Sequence, residues 1–210
     1  MIKAFEHLSH TVAVEVRDYK DWHKNREQYA VWVIDFDEQV ILDEVERTRH
    51  FFKDILLKPF DRQPHITLFV SGFLTDIAAH DDDYATTAQQ AHQHNLRKSN
   101  LKQFDIRIGG LNSFSSALYI EVVDTSNRLE QIRATLAGVM PELRWKPYIP
   151  HITVGVYNDA IPTQEVINLI NSYKQLTIIN KKVRDIKLVT YSSTELLGPL
   201  TEHYTHVLVE

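Results

Sequence analysis

Pro64-His65-Ile66-Thr67-Leu68-Phe69-Val70 returns, 86 positions later, as Pro150-His151-Ile152-Thr153-Val154-Gly155-Val156. Five of the seven positions are identical and one is an aliphatic exchange. β-Branched and aromatic residues suit a pleated, half-buried surface, so each copy predicts a strand. Side chains alternate across a strand, which puts His65, Thr67 and Phe69 on one face and the aliphatic Ile66, Leu68 and Val70 on the other. In the second copy His151, Thr153 and Gly155 take the equivalent polar face, where the missing side chain of Gly155 would let a ligand approach the backbone. A single His-x-Thr on an amphipathic strand is ordinary; two in matched context point to a duplicated lobe and a shared site.

Outward from these strands the pattern is mixed. Residues 29–36 (YAVWVIDF) predict a buried strand, after which Asp35 or Asp37 can cap a helix carrying Ile41, Val45, Phe52, Ile55 and Leu56 from Glu38 to Leu57. An acidic loop, His80 to Tyr84, leads into a helix over about 83–101. FDIRIGG and ALYIEVVD read as two strands joined by LNSFSS, and Asn127 with Glu130 resembles an N-cap before the stripe Leu129, Ile132, Leu136 and Val139. Thr163 can start a further helix, and strands are predicted near 183–191 and 204–209. The order suggests an α+β protein with two similar lobes in one continuous body over residues 29–210, since no Gly-, Pro- or Ser-rich linker divides them. Residues 1–28 show no comparable pattern and are read as an N-terminal addition.

Bulk properties narrow the functional classes. With 210 residues, 43% hydrophobic and 24% charged, the chain can bury one sizeable core. It holds no cysteine, which excludes a disulfide framework, a thiolate metal site and a thiol nucleophile. No apolar run approaches the length that spans a bilayer and no signal-type leader is visible, so a cytoplasmic protein without a membrane partner is expected. A formal charge of −5 argues against coating duplex nucleic acid through bulk phosphate neutralisation.

Two imidazoles and two hydroxyls converging across a groove suit a phosphate. Threonine hydroxyls can donate to non-bridging oxygens, while one neutral imidazole takes a proton from the nucleophile and one imidazolium protonates the departing oxygen. Neither a metal nor another cofactor is needed, and an ordinary histidine pKa near 6.5 makes both forms accessible without large shifts.

The paired motifs His65-Ile66-Thr67-Leu68 and His151-Ile152-Thr153-Val154, with the strand-helix unit before them, Arg62 just ahead of the first motif and the FDIRIGGLNSFSSALYIEV hairpin, resemble the 2H phosphoesterase superfamily. That superfamily includes 2'-5' RNA ligase-like proteins and 2',3'-cyclic phosphodiesterases. The resemblance, over about Tyr29 to Glu210, implies a bilobal, LigT-like fold with antiparallel sheets around a central cleft. It also implies metal-independent chemistry on RNA ends or small nucleotides; a monomer is expected. It further implies that His151 activates water and His65 protonates the leaving 3' oxygen when a 2',3'-cyclic end opens to a 2'-phosphate, with Thr67 and Thr153 holding the phosphate.

Candidate substrate contacts lie around the motifs. Tyr148, Trp145 and Tyr157 could stack a base, or pack in the core or rim. Arg62, Arg144 and Lys146 could neutralise adjoining phosphates, and Phe69 shares the face of the first motif. His80 with Asp81, Asp82 and Asp83, and His92-x-His94, make poor metal sites: residues two apart on a helix diverge, and an aspartate run is usually a solvated loop or helix start. Cleavage or formation of 2'-5' linkages is the alternative within this class. A non-catalytic RNA-binding module stands in another class, and a metal-dependent hydrolase lacks a third ligand.

Overall fold

The computed structural model describes residues 7–143, 147–174 and 176–210. The elements run α1 (Lys20–His23), β1 (Gln28–Asp35), α2 (Gln39–Phe51), β2 (His65–Thr75), β3 (Asp83–Ala85), α3 (Thr86–Ser99), β4 (Phe104–Ser113), β5 (Ala117–Val123), α4 (Arg128–Ala137), β6 (His151–Val156), α5 (Thr163–Ser172), β7 (Ile179–Val183), β8 (Asp185–Ser192) and β9 (Thr201–Val207). One sheet has the order β3-β2-β1-β8-β9 and the other β6-β5-β4-β7. All pairings are antiparallel except β2 with the short β3, a strand that the sequence pattern did not separate from the helix after it.

The duplication is visible in the register. β1-α2-β2 and β5-α4-β6 are equivalent units, each an antiparallel pair joined by a helix. Their apolar faces meet in one core: Ile66 and Leu68 of the first unit and Leu118, Ile120, Ile152 and Val154 of the second are all buried in the same cluster. The helices are exchanged, α2 packing on β6 and α4 on β2. One shared apolar core explains why no linker is needed between the lobes.

Local details differ from expectation for physical reasons. α2 ends at Phe51, because Ile55 to Leu57 leave the helix to cover the outer edge of β6: Leu57 N–H donates to the Val156 carbonyl at 2.8 Å, and Leu56 bridges to Tyr157. Neither Asp35 nor Asp37 caps α2; Asp35 is held by Lys187 at 2.9 Å instead. Asn127 is left-handed and does not cap α4 through its side chain; Asp124 takes that role, accepting from the Leu129 N–H at 2.7 Å.

The N-terminal addition is a belt between the lobes. Its backbone bonds to the second lobe through Thr11 N–H to the Ile161 carbonyl, Val12 N–H to Ser115 and Val14 N–H to Tyr157, at 2.8 to 3.0 Å. It then crosses to the first, where Trp22 packs on Tyr29 and Phe73 at 5.0 Å. Arg26 closes it, lying over Phe73 and pairing with Asp82 at 2.6 Å and Asp83 at 2.5 Å. The aspartate run is thus an arginine anchor rather than a solvated loop. Against the effect of burial, Arg26 holds the Asp82 carboxyl below its usual range, and the Ala79 and His80 N–H groups join Arg26 in doing the same for Asp83.

His92 is a core histidine and His94 is exposed. The Leu136 carbonyl can only accept, so His92 Nε2 carries the proton and donates to it at 2.9 Å, while Nδ1 accepts from the Tyr84 hydroxyl at 2.7 Å. Burial pushes its pKa down to about 4. Above that pH the folded ring is neutral, whereas an unfolded histidine protonates near 6.5, so stability falls as pH drops from about 6.5 to 4. The loss is on the order of 3 kcal/mol from this ring. The urea midpoint is expected to be clearly lower at pH 4.5 than at pH 7, and His92→Gln, less stable at neutral pH, should lose less on acidification.

Candidate active site

Each motif strand carries a bulge at the same place. Val33 pairs with Thr67 but Trp32 with Phe69, leaving Leu68 as the extra residue; Tyr119 pairs with Thr153 but Leu118 with Gly155, leaving Val154 extra. A bulge reverses the in-out alternation beyond it. Phe69 therefore turns into the core, 1% exposed and edge-on to His92, rather than lining the polar face. Gly155 likewise faces inward, with Leu56 where a Cβ would point, so it opens no path for a ligand. The polar face stops at the threonine in both copies.

Up to that point the two strands match. His65 Nδ1 lies 2.7 Å from the Gln63 carbonyl and His151 Nδ1 lies 2.6 Å from the Ile149 carbonyl, each two residues upstream. A carbonyl can only accept, so Nδ1 carries the proton in both rings and Nε2 is the unprotonated nitrogen of the neutral imidazole. Both rings and both threonines are half-buried, and the hydroxyls of Thr67 and Thr153 have no hydrogen-bond partner among the described residues. Across the strands, Asp35 stands opposite His65 and Glu121 opposite His151.

The rings do not share one environment. Burial, with the charges of Arg62 and His151 behind it, pushes the His65 pKa down to about 4, against an upward pull from the Gln63 carbonyl and Asp35. The expectation that no large shift is needed thus fails for His65. The action of His151 on it also shows that the two rings stand within electrostatic reach of each other. His151 is flanked by Phe114 at 4.8 Å and Tyr119 at 5.3 Å between ring centroids, and those two rings stack on each other.

Two arginines hold the motifs together. Arg49 on α2 donates through Nε to the Val154 carbonyl at 3.0 Å, and Arg133 on α4 donates through Nη1 to the Leu68 carbonyl at 2.6 Å. Each reaches the bulge residue of the other repeat. Arg133 also pairs with Glu142 at 2.8 Å and covers the Tyr148 ring at 3.8 Å, and the Tyr148 hydroxyl donates to the Thr67 carbonyl at 3.1 Å.

The remaining sequence candidates separate. Tyr148 braces the first motif. Tyr157 is fully buried, its hydroxyl 2.6 Å from that of Ser113 and its pKa raised to about 12 by burial, so it stacks no base. Arg62 lies over Tyr191 and donates to the carbonyls of Leu196 and Gly198, with burial lowering its pKa, while its charge still acts on His65. Trp145 and Lys146, with Arg144, lie outside the described residues. Among the described residues no three His, Asp or Glu side chains gather as a metal site, and no helix is long and apolar enough to cross a membrane. Sequence reasoning missed Phe114, Arg49 and Arg133; the arginines, 84 positions apart on equivalent helices, were the available signal.

Two lobes, each presenting a His-x-Thr strand with its Nδ1 tied back and its hydroxyl free, define the 2H phosphoesterase class. The family model of the 2'-5' RNA ligase superfamily matches residues 37–195, and the chain belongs to that superfamily. Among solved structures, LigT of E. coli in apo form is similar at TM-score 0.58 and 14% identity, covering 89% of this chain and 100% of that one. The same protein complexed with 3'-AMP matches at 0.55 and 15%, covering 88% and 99%. TT0787 of Thermus thermophilus matches at 0.57 and 16%, covering 86% and 97%. These likenesses show the fold. A search of curated proteins gives no match.

Two substitutions test the geometry. Gly155→Ala would set a Cβ 3.0 Å from Leu56, so a loss of about 1–3 kcal/mol is expected in thermal melts; a glycine lining the cleft would leave Tm unchanged. Arg133→Met removes the buried cation facing Glu142 and the donor to the Leu68 carbonyl, and about 3–5 kcal/mol should be lost in urea titrations. Arg133→Lys should recover little of it, because one ammonium cannot reproduce the forked contacts.

Proposed function

We propose that the chain is a phosphodiesterase that opens 2',3'-cyclic phosphates of RNA ends or nucleotides by two-histidine acid-base catalysis. The observation that carries this reading is the matched pair of rings, each with Nδ1–H tied to its own backbone and Nε2 as the unprotonated nitrogen, on strands that also present Thr67 and Thr153. Thr67 and Thr153 hold the non-bridging oxygens. One Nε2 takes the proton of water as its oxygen attacks phosphorus; the other gives a proton to the ribose oxygen as the P–O bond breaks.

In the direction implied by the family resemblance, His151 is the base and His65 the acid, releasing a 2'-phosphate. His65 is neutral in the empty site at neutral pH. To act as acid it must take up a proton when the anionic phosphate arrives, a charge that favours the imidazolium. Substrate binding near pH 7 is then accompanied by proton uptake. The half-buried ring of Phe114 beside His151 offers the base an aromatic surface, a role that Tyr157 and Phe69 cannot fill. Cleavage or joining of 2'-5' linkages is the second reading, favoured by the superfamily to which the chain belongs.

The test is turnover on a panel of 2',3'-cyclic mononucleotide, cyclic-ended RNA and 2'-5' oligoadenylate, with products resolved as 2'- or 3'-phosphates. His65→Ala and His151→Ala should each lose about two orders of magnitude or more in kcat with binding retained. Thr67→Val or Thr153→Val should lose roughly tenfold, one hydrogen bond's worth. The pH profile should be bell-shaped, and EDTA should leave the rate unchanged. A flat profile, or an EDTA-treated protein revived only by zinc or manganese, overturns the mechanism.

A further inference from the structure

The repeat extends beyond the His-x-Thr strands. Asp35 precedes His65 by 30 positions and Glu121 precedes His151 by 30, so the 86-residue offset of the motifs also relates the two carboxylates. Each acidic residue is the direct cross-strand partner of its histidine, Asp35 on β1 against β2 and Glu121 on β5 against β6. Directly opposed residues of an antiparallel pair project to the same side, so each carboxylate lies beside the imidazole on the polar face.

A third residue holds each carboxylate from the next strand over. In the first lobe Lys187 on β8 contacts Asp35 at 2.9 Å and is shared with Glu202 on β9 at 3.0 Å. In the second, the Asn112 amide on β4 donates to Glu121 at 2.7 Å. Each sheet therefore carries a row of imidazole, carboxylate and hydrogen-bond donor. The rows differ in one respect: the donor is a cation in the first lobe and a neutral amide in the second. No ion pair engages Glu121 among the described residues.

Building on the two-histidine reading, we propose that Asp35 and Glu121 are positioning residues, each favouring the protonated form of the imidazole beside it. The groups around His65 are Asp35, Arg62, His151 and, behind Asp35, Lys187; Asp185 lies within reach of Asp35 and Lys187. Those around His151 include, among the described residues, Glu121, His65 and the rings of Phe114 and Tyr119. Two cations oppose protonation at the first ring, Arg62 directly and Lys187 by neutralising Asp35.

The experiment is a histidine titration by NMR on the free protein, following the Cε1–H signals of His65 and His151 assigned with single His→Gln variants. Glu121→Gln should lower the His151 midpoint by about one pH unit and move His65 less. Lys187→Met, which leaves Asp35 unneutralised, should raise the His65 midpoint, and Asp35→Asn should not. A structural role alone would leave these midpoints in place. An unmoved His151 midpoint in folded Glu121→Gln, or a His65 midpoint unmoved in both folded Lys187→Met and folded Asp35→Asn, overturns the proposal. The titrations need no substrate, so they succeed or fail independently of turnover on the panel above.

Discussion

At each bulge the strand turns one backbone carbonyl out of its ladder, and each of those carbonyls is met by an arginine from the other repeat. Arg49 reaches Val154 and Arg133 reaches Leu68. The contacts are charge-assisted and partly or fully shielded from water, the setting in which a hydrogen bond contributes most. They fix the two motif strands relative to each other at the residue after each threonine, one position beyond the site. For the proposed acid-base mechanism, two imidazoles drawn from distant parts of the chain need such a restraint, because both nitrogens would have to be held against one phosphorus.

The same physics explains why the site is built on strands rather than loops. The ring orientation is set by a hydrogen bond to the residue two before it, and the strand fixes where that carbonyl points. Packing secures the strands in turn: Ile66 and Ile152 are fully buried in the common core, directly beneath the histidines and threonines. The belt of residues 9–27 adds backbone bonds to the second lobe and aromatic packing on the first, so both flanks of the molecule are tied by one segment.

Strand and helix order, the duplicated lobe and the placing of the two His-x-Thr pairs on matched strands were legible in sequence, since each rests on local alternation or on direct repetition. The bulges were not. A period-two reading assumes an unbroken pleat, and it placed Phe69 and Gly155 on the wrong face for that reason. Their lack of identity carried a clue: Phe69 fills space beside His92, while Gly155 makes room for Leu56, as core positions of unequal volume would. Arg26 was invisible for a different reason. Its partners Asp82 and Asp83 lie more than fifty residues away, and nothing in a patternless N-terminal stretch announces a long-range ion pair. Tyr157 was misjudged because flanking a motif in sequence does not place a ring in the cleft.

The exchange of helices between repeats also bears on how such a chain could arise. Half of it alone would leave an amphipathic helix with no sheet to cover and a strand with no helix above it. A second identical copy would cure both faults at once, closing about a two-fold axis into a homodimer with one imidazole from each subunit at the shared seam. Fusion of two such copies frees the halves from identity. Lys187 against Asn112, and Arg62 where the 86-residue offset places Tyr148, are the kind of divergence that a symmetric ancestor could not have held.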